Sequence, residues 1–187
     1  MSRRLPPPPD FASIDAIAPD TAPQRTRILA LIGNLVFTWS NNESMFIYVL
    51  MVLLETDFSS AAITFVSLNT TRARLDLIRR LAKSKCTDPE VLRKLEQMMD
   101  RFNECTKVRN EFNHCIYQLD GMGRITHTNV LKIVESKRGI RFAEQRSFDE
   151  KRVEEISVAI RRLTDLNREL WAFLPDLERS LAAARVS

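Results

Sequence analysis

The residues best equipped for chemistry fall in one six-residue run, Arg109-Asn-Glu-Phe-Asn-His114. Histidine titrates near neutrality and can act as a general acid or base. Arginine keeps its charge and offers a planar fork of donors that matches phosphate oxygens. Asn110 is suited to orienting a phosphate or His114, and Asn113 adds a further amide. Asn110 and His114 are four residues apart, as are Arg109 and Asn113, so on a helix these groups flank one side. Metal chemistry fits the run poorly. Glu111-x-x-His114 supplies half of a di-metal carboxylate motif, but His127 is preceded at that spacing by Arg124. Cys86, Cys105 and Cys115 are too dispersed for a zinc site, and the 4 glycines make no phosphate-binding loop. No metal and no cofactor is expected.

The elements that must carry this run read as long helices. From about Gln24 to Glu55, Ile28, Ile32, Leu35, Trp39, Phe46, Val49 and Leu53 recur in steps of four and three, with Asn42 on the same seam. A second helix is expected over about 60–85, with Phe65, Leu68, Leu75, Ile78 and Leu81 inward. Asp88 and Pro89 open a third as N-cap and first helical residue. Its stripe, Val91, Leu95, Met98, Phe102, Cys105, Arg109, Phe112, Ile116 and Leu119, runs on until Gly121 and Gly123 end it. The segment 124–148 is rich in Thr, Val and Ile around a Lys137-Arg138-Gly139 turn, which predicts a β-hairpin. A last helix opens at Ser147-x-x-Glu150, with Asp149 as the competing cap, and Pro175 should kink it. The fold class is therefore mainly α: a four-to-five-helix bundle with a β-hairpin insert between the last two long helices.

Within that pattern two polar residues interrupt apolar seams. Arg109 stands between Cys105 and Phe112, where it must find a partner, open into a solvent-filled cleft, or snorkel along its stem. Glu43 lies one turn from Trp39 in the first helix, and pairing it with Arg109 across the bundle would answer both anomalies.

Arg109-Asn110-x-x-x-His114 resembles the Arg-x(4–6)-His signature of the HEPN superfamily, whose members often carry Asn or Asp after the arginine. The bundle from about residue 23 onward, the motif late in the third helix, and an acidic residue in the first helix, here Glu43, are similar to that family as well. The resemblance implies a metal-independent ribonuclease working as a homodimer, in which two such motifs face each other across a twofold axis. It equally allows a catalytically silent HEPN-like binding module. As a nuclease the chain would cleave single-stranded RNA, with Arg109, His114 and Asn110 in catalytic roles and Glu43 and Asn113 supporting them. The 2′-hydroxyl is the substrate's own nucleophile, so products would end in 2′,3′-cyclic phosphate. Arg72, Arg79 and Lys83 on one helical stripe, and Arg138 and Arg141 in the hairpin, are candidates for RNA backbone contacts. A toxin-like role with a protein antitoxin or other partner is compatible with this reading, and the sequence does not specify which.

The whole chain has 187 residues, 28 Lys and Arg against 24 Asp and Glu, and a net charge of +4. That mild excess is compatible with a polyanion partner without demanding one. An odd count of 3 cysteines suits a reducing cytoplasm. Residues 1–22 hold 5 Pro, including Pro6–Pro9, and read as a disordered tail with a stiff polyproline II piece. The apolar stretch from Ile28 to Leu54 is divided by Ser40-Asn-Asn-Glu-Ser44, so a bundle helix is expected rather than a membrane span.

Overall fold

In a computed structural model the described residues are 23–136 and 139–184, with the side chains of 131–144 left aside. Five helices are described: α1 Pro23–Leu54, α2 Phe58–Val66, α3 Thr71–Lys85, α4 Pro89–His114 and α5 Glu150–Ala184. Three strands lie between α4 and α5: β1 Cys115–Leu119, β2 Ile125–Ser136 and β3 Gly139–Ser147. The bundle with a hairpin insert is thus the observed class. Among the described residues no single helix is long and apolar enough to cross a membrane. Residues 1–22, including the expected tail, and the Lys137-Arg138 turn lie outside the described residues. The contacts divide the chain into two compact units: one from the residues up to Leu31 with His114–Val153, the other from Ile32–Asn113 with Glu154 onward.

The larger unit is built on the expected seams. Leu35, Trp39, Asn42, Phe46, Val49 and Leu53 of α1 are buried, as are Leu95, Phe102, Cys105 and Phe112 of α4. On α5 the buried row is Ile156, Ala159, Leu163, Leu166, Leu170, Phe173 and Leu177. Ile160 and Leu174, expected on that row, are half-buried, because the helix turns Ala159 and Phe173 inward instead. Phe102 packs against Trp39 and Phe46 at ring-centroid distances of 5.6 and 5.1 Å. Asn42 ties α1 to α5 by donating to the Leu163 carbonyl at 2.9 Å.

Two boundaries differ from the sequence reading. The expected second helix is broken at Ser67–Thr70. Asp57 caps α2 by accepting from the Ser60 amide at 3.0 Å, and Thr70 caps α3 by accepting from the Ala73 amide at 3.1 Å. A hydroxyl cap in mid-segment starts a new helix, a competition that apolar spacing does not register. The third helix stops at His114 rather than continuing through Leu119, so Ile116 and Leu119 are strand residues. Cys-Ile-Tyr-Gln-Leu alternates half-buried and exposed, and its β-branched and aromatic members suit a pleated surface. At the last helix Asp149, not Ser147, is the cap and accepts from the Arg152 amide at 3.1 Å; α5 then runs through Pro175.

The smaller unit is an antiparallel meander in the order β1-β2-β3. Cys115 faces Val130 and Tyr117 faces Thr128, while His127 faces Ser147 across the other ladder. Gln24 clamps Ile125 from both sides, donating to its carbonyl at 2.9 Å and accepting from its amide at 3.0 Å. The β1–β2 turn is organised by Asp120, which accepts from the Met122 and Arg124 amides at 2.9 and 3.0 Å. Gly123 takes a φ of 72° there, a region that side chains disfavour.

Candidate active site

Arg109 is the centre of the larger unit's chemistry. Its guanidinium carbon lies 3.4 Å from the centre of the Trp39 ring, a cation–π stack. The indole is itself locked: Trp39 Nε1 donates to Thr106 Oγ1 at 2.8 Å, and Thr106 Oγ1 donates to the Phe102 carbonyl at 2.8 Å. Phe102 stacks on Trp39 at 18° between planes, so Phe102 and Arg109 both pack against the indole. Arg109 Nε is buried and has no hydrogen-bond acceptor. An unmatched buried donor costs about 1–3 kcal/mol, so this cation is held at a price in stability and with directional capacity to spare. Burial pushes its pKa below the usual arginine value, and the negative charge of Glu43 pulls it partly back.

Glu43 acts on Arg109 at a distance and does not pair with it. Its carboxylate contacts Arg74 at 3.1 Å and accepts from Thr71 Oγ1 at 2.6 Å. The expected Glu43–Arg109 ion pair is thus replaced within this chain by a Glu43–Arg74 pair. The reason is that Arg74 has a second task. Its Nε donates to the Phe65 and Leu68 carbonyls at 3.1 and 3.0 Å, adding a donor to the carbonyls where α2 ends. Held there, it reaches Glu43 first. Arg109 then has no carboxylate within ion-pair distance among the described residues.

The remaining motif residues are surface groups. Asn110, Asn113 and His114 are exposed, and His114 is the last residue of α4. Among the described residues none of the three is tied down by a hydrogen bond that would withhold it from a ligand. Of the expected phosphate contacts, Arg79 is surrounded by carboxylates: Glu96 at 2.8 Å, Asp76 at 3.1 Å and Asp100 at 3.4 Å. Arg72 is almost fully exposed, 3.9 Å from Asp76, and Lys83 is exposed. Arg138 and the side chain of Arg141 lie outside the described residues. His127 is a half-buried strand residue on β2.

Sequence reasoning missed Trp39 as the platform under Arg109, Thr106 as its lock, and Arg74 as the partner of Glu43. Trp39 and Arg109 both sit on apolar seams, which was the available signal for the first. Among the described residues no group of three or more His, Cys, Asp or Glu is placed to hold a metal ion. No family model matches the chain, and no curated protein or solved structure matches it either.

Proposed function

We propose that the chain is a HEPN-like, metal-independent endoribonuclease that cleaves single-stranded RNA. The observation that carries this reading is Arg109. A guanidinium stacked on Trp39, with no carboxylate within ion-pair distance among the described residues, is a cation prepared for an anion from outside. His114, five residues on and exposed at the end of the same helix, supplies a proton-transfer group. In the proposed step the 2′-oxygen attacks the adjacent phosphorus and its proton passes to an imidazole. The bond from phosphorus to the 5′-oxygen breaks, and a second imidazole protonates the leaving oxygen. The products are a 2′,3′-cyclic phosphate and a 5′-hydroxyl. Arg109 offsets the charge that builds on the phosphorane, and Asn110 and Asn113 orient it. One chain supplies one His114, so two imidazoles at one phosphate call for a homodimer.

The test is cleavage of an end-labelled single-stranded RNA in EDTA. Cleavage should proceed, leave cyclic phosphate ends, and spare DNA, which lacks the 2′-hydroxyl. Arg109→Ala and His114→Ala should each slow it by roughly 10²–10⁴-fold. Cleavage that persists in both variants, or that EDTA stops, overturns the mechanism. RNA binding without cleavage by the parent chain would leave the silent binding module in its place.

A further inference from the structure

Within the larger unit, Cys86–Asp88 turn α3 back along α4, and the two helices enclose a cleft of about 370 Å³. That volume lies in the range of small-molecule sites, roughly 300–1,000 Å³. Its walls are aliphatic: Ala82, Leu95 and Met99 are buried and Leu92 is half-buried. The lining follows α4 from Pro89 to Met99, a rise of about 15 Å. The polar residues fall at its two ends. Towards Met99, Arg79 bonds Glu96 across the helices at 2.8 Å, with Asp76 and Asp100 at 3.1 and 3.4 Å, so that guanidinium is already matched. The Arg79–Glu96 contact fixes the register of the two helices. Lys83, one turn on along α3, therefore stands opposite Leu92 and Arg93, one turn back along α4. Lys83 is exposed and makes no ion pair among the described residues. Arg93 is exposed and bonds Glu90 at 2.6 Å, a surface pair that yields readily to a competing anion.

We propose that this cleft binds a monomeric fatty-acid anion. Its carboxylate meets Lys83 and Arg93, and its chain runs along Leu92, Leu95 and Met99 toward the Arg79–Glu96 pair. Three features select that ligand. The first is the lining: it is aliphatic, and among the described residues no aromatic ring lines it, so a nucleobase would find no stacking partner there. The second is shape: a lining that extends about 15 Å along one helix suits an extended chain better than a compact ring. The third is charge. Lys83 and Arg93 favour an anion at one end, but Glu90 is bonded to Arg93 and Glu96 lines the same cleft. A doubly charged phosphate would face both carboxylates, whereas a carboxylate brings a single charge to two cations. The long aliphatic stem of Lys83 can lie against the chain while its ammonium reaches the head.

Methyl NMR of the full-length chain, labelled at its methionines and titrated with decanoate below its micelle concentration, tests this. Met99→Leu assigns the Met99 methyl. Met51 is the internal control, because it lines a second cleft, of about 350 Å³, that Glu55 and Glu178 make acidic. The Met99 methyl should shift saturably while Met51 stays in place. Octanoate should bind about tenfold more weakly, since each buried methylene changes affinity about threefold to fourfold. Lys83→Gln with Arg93→Gln should weaken decanoate about tenfold, and Lys83→Arg should retain it. Decyltrimethylammonium, with the same chain and the opposite charge, should bind at least about tenfold more weakly than decanoate. A Met99 methyl that does not shift saturably in the parent overturns the proposal, and that measurement depends on no variant. Equal binding of the anionic and cationic amphiphiles, undiminished binding in the Lys83–Arg93 double variant, or a Met51 shift in step with Met99 also overturns it, as generic apolar uptake. A shift that appears only with phosphatidylcholine vesicles carrying the acid, and not with the monomer, overturns it in favour of a lipid surface. Lys83 and Arg93 are exposed, and circular dichroism identifies any variant that fails to fold.

Discussion

At the scale of single residues, Arg109 has no ion pair among the described residues while Arg74 is closely matched. Arg109 and Arg74 lie in the same unit, and Glu43, whose charge acts on Arg109, bonds to Arg74. The Glu43 and Arg74 side chains are 15% and 19% exposed, so their contact is only partly screened. Glu43→Gln and Arg74→Met should then be non-additive in stability, with a coupling energy of about 0.5–3 kcal/mol in a double-mutant cycle. Glu43→Gln with Arg109→Met should couple much more weakly. Equal couplings in the two cycles would contradict the pairing seen here. Arg109 instead gains from the ring beneath it, a contact worth about 0.5–2 kcal/mol depending on desolvation.

At the scale of elements, hydrogen-bonded caps decide where helices and strands begin and end. Asp88 does so for α4, accepting from the Glu90 amide at 2.8 Å. Asp120 does so for the β1–β2 turn. The bond from the Arg124 amide, with further donors in the same turn, holds its carboxyl below the usual aspartate range. A carboxyl whose folded pKa is depressed contributes stability that is present above its unfolded pKa and is lost as pH falls through the folded value. The turn should therefore loosen below about pH 4. Amide exchange at Met122 and Arg124, followed by NMR and corrected for intrinsic rates, should accelerate there, and Asp120→Asn should abolish that pH dependence. Protection that is flat from pH 6 to pH 3 in the parent would show that the turn does not depend on this carboxylate.

At the scale of the whole molecule, α4 raises a question of aim. On an ideal helix, residues five apart leave the axis about 140° from one another. Arg109 and His114 of one chain therefore diverge, and the proposed chemistry is better served when a second chain brings its own pair. Sedimentation at micromolar concentration should show a homodimer. Mixing Arg109→Ala with His114→Ala should restore part of the cleavage if one phosphate draws on both chains. A monomer that cleaves RNA at full rate would exclude the shared arrangement.

The helices α1, α4 and α5, the Asp88 cap and the hairpin were legible because each is written in local spacing. Seams of period four and three mark α1, α4 and α5, and Asp88-Pro89 marks a helix start whatever lies nearby. The polar interruptions were legible for a related reason: Arg109 and Glu43 are polar residues where the seam calls for apolar ones. What spacing cannot express is competition between distant groups. Glu43 had two arginines to choose from, and only folding brought Arg74 to it, held by carbonyls at a break in the helix that hydrophobic periodicity does not detect. Likewise, Ile116 and Leu119 continue the α4 stripe on paper, but the ladder with β2 turns them into strand, because they pair with Asn129 and Ile125 beyond the turn. Local sequence determined the long helices and the unusual residues; tertiary packing decided that Arg109 would rest on Trp39 while Glu43 bonded to Arg74.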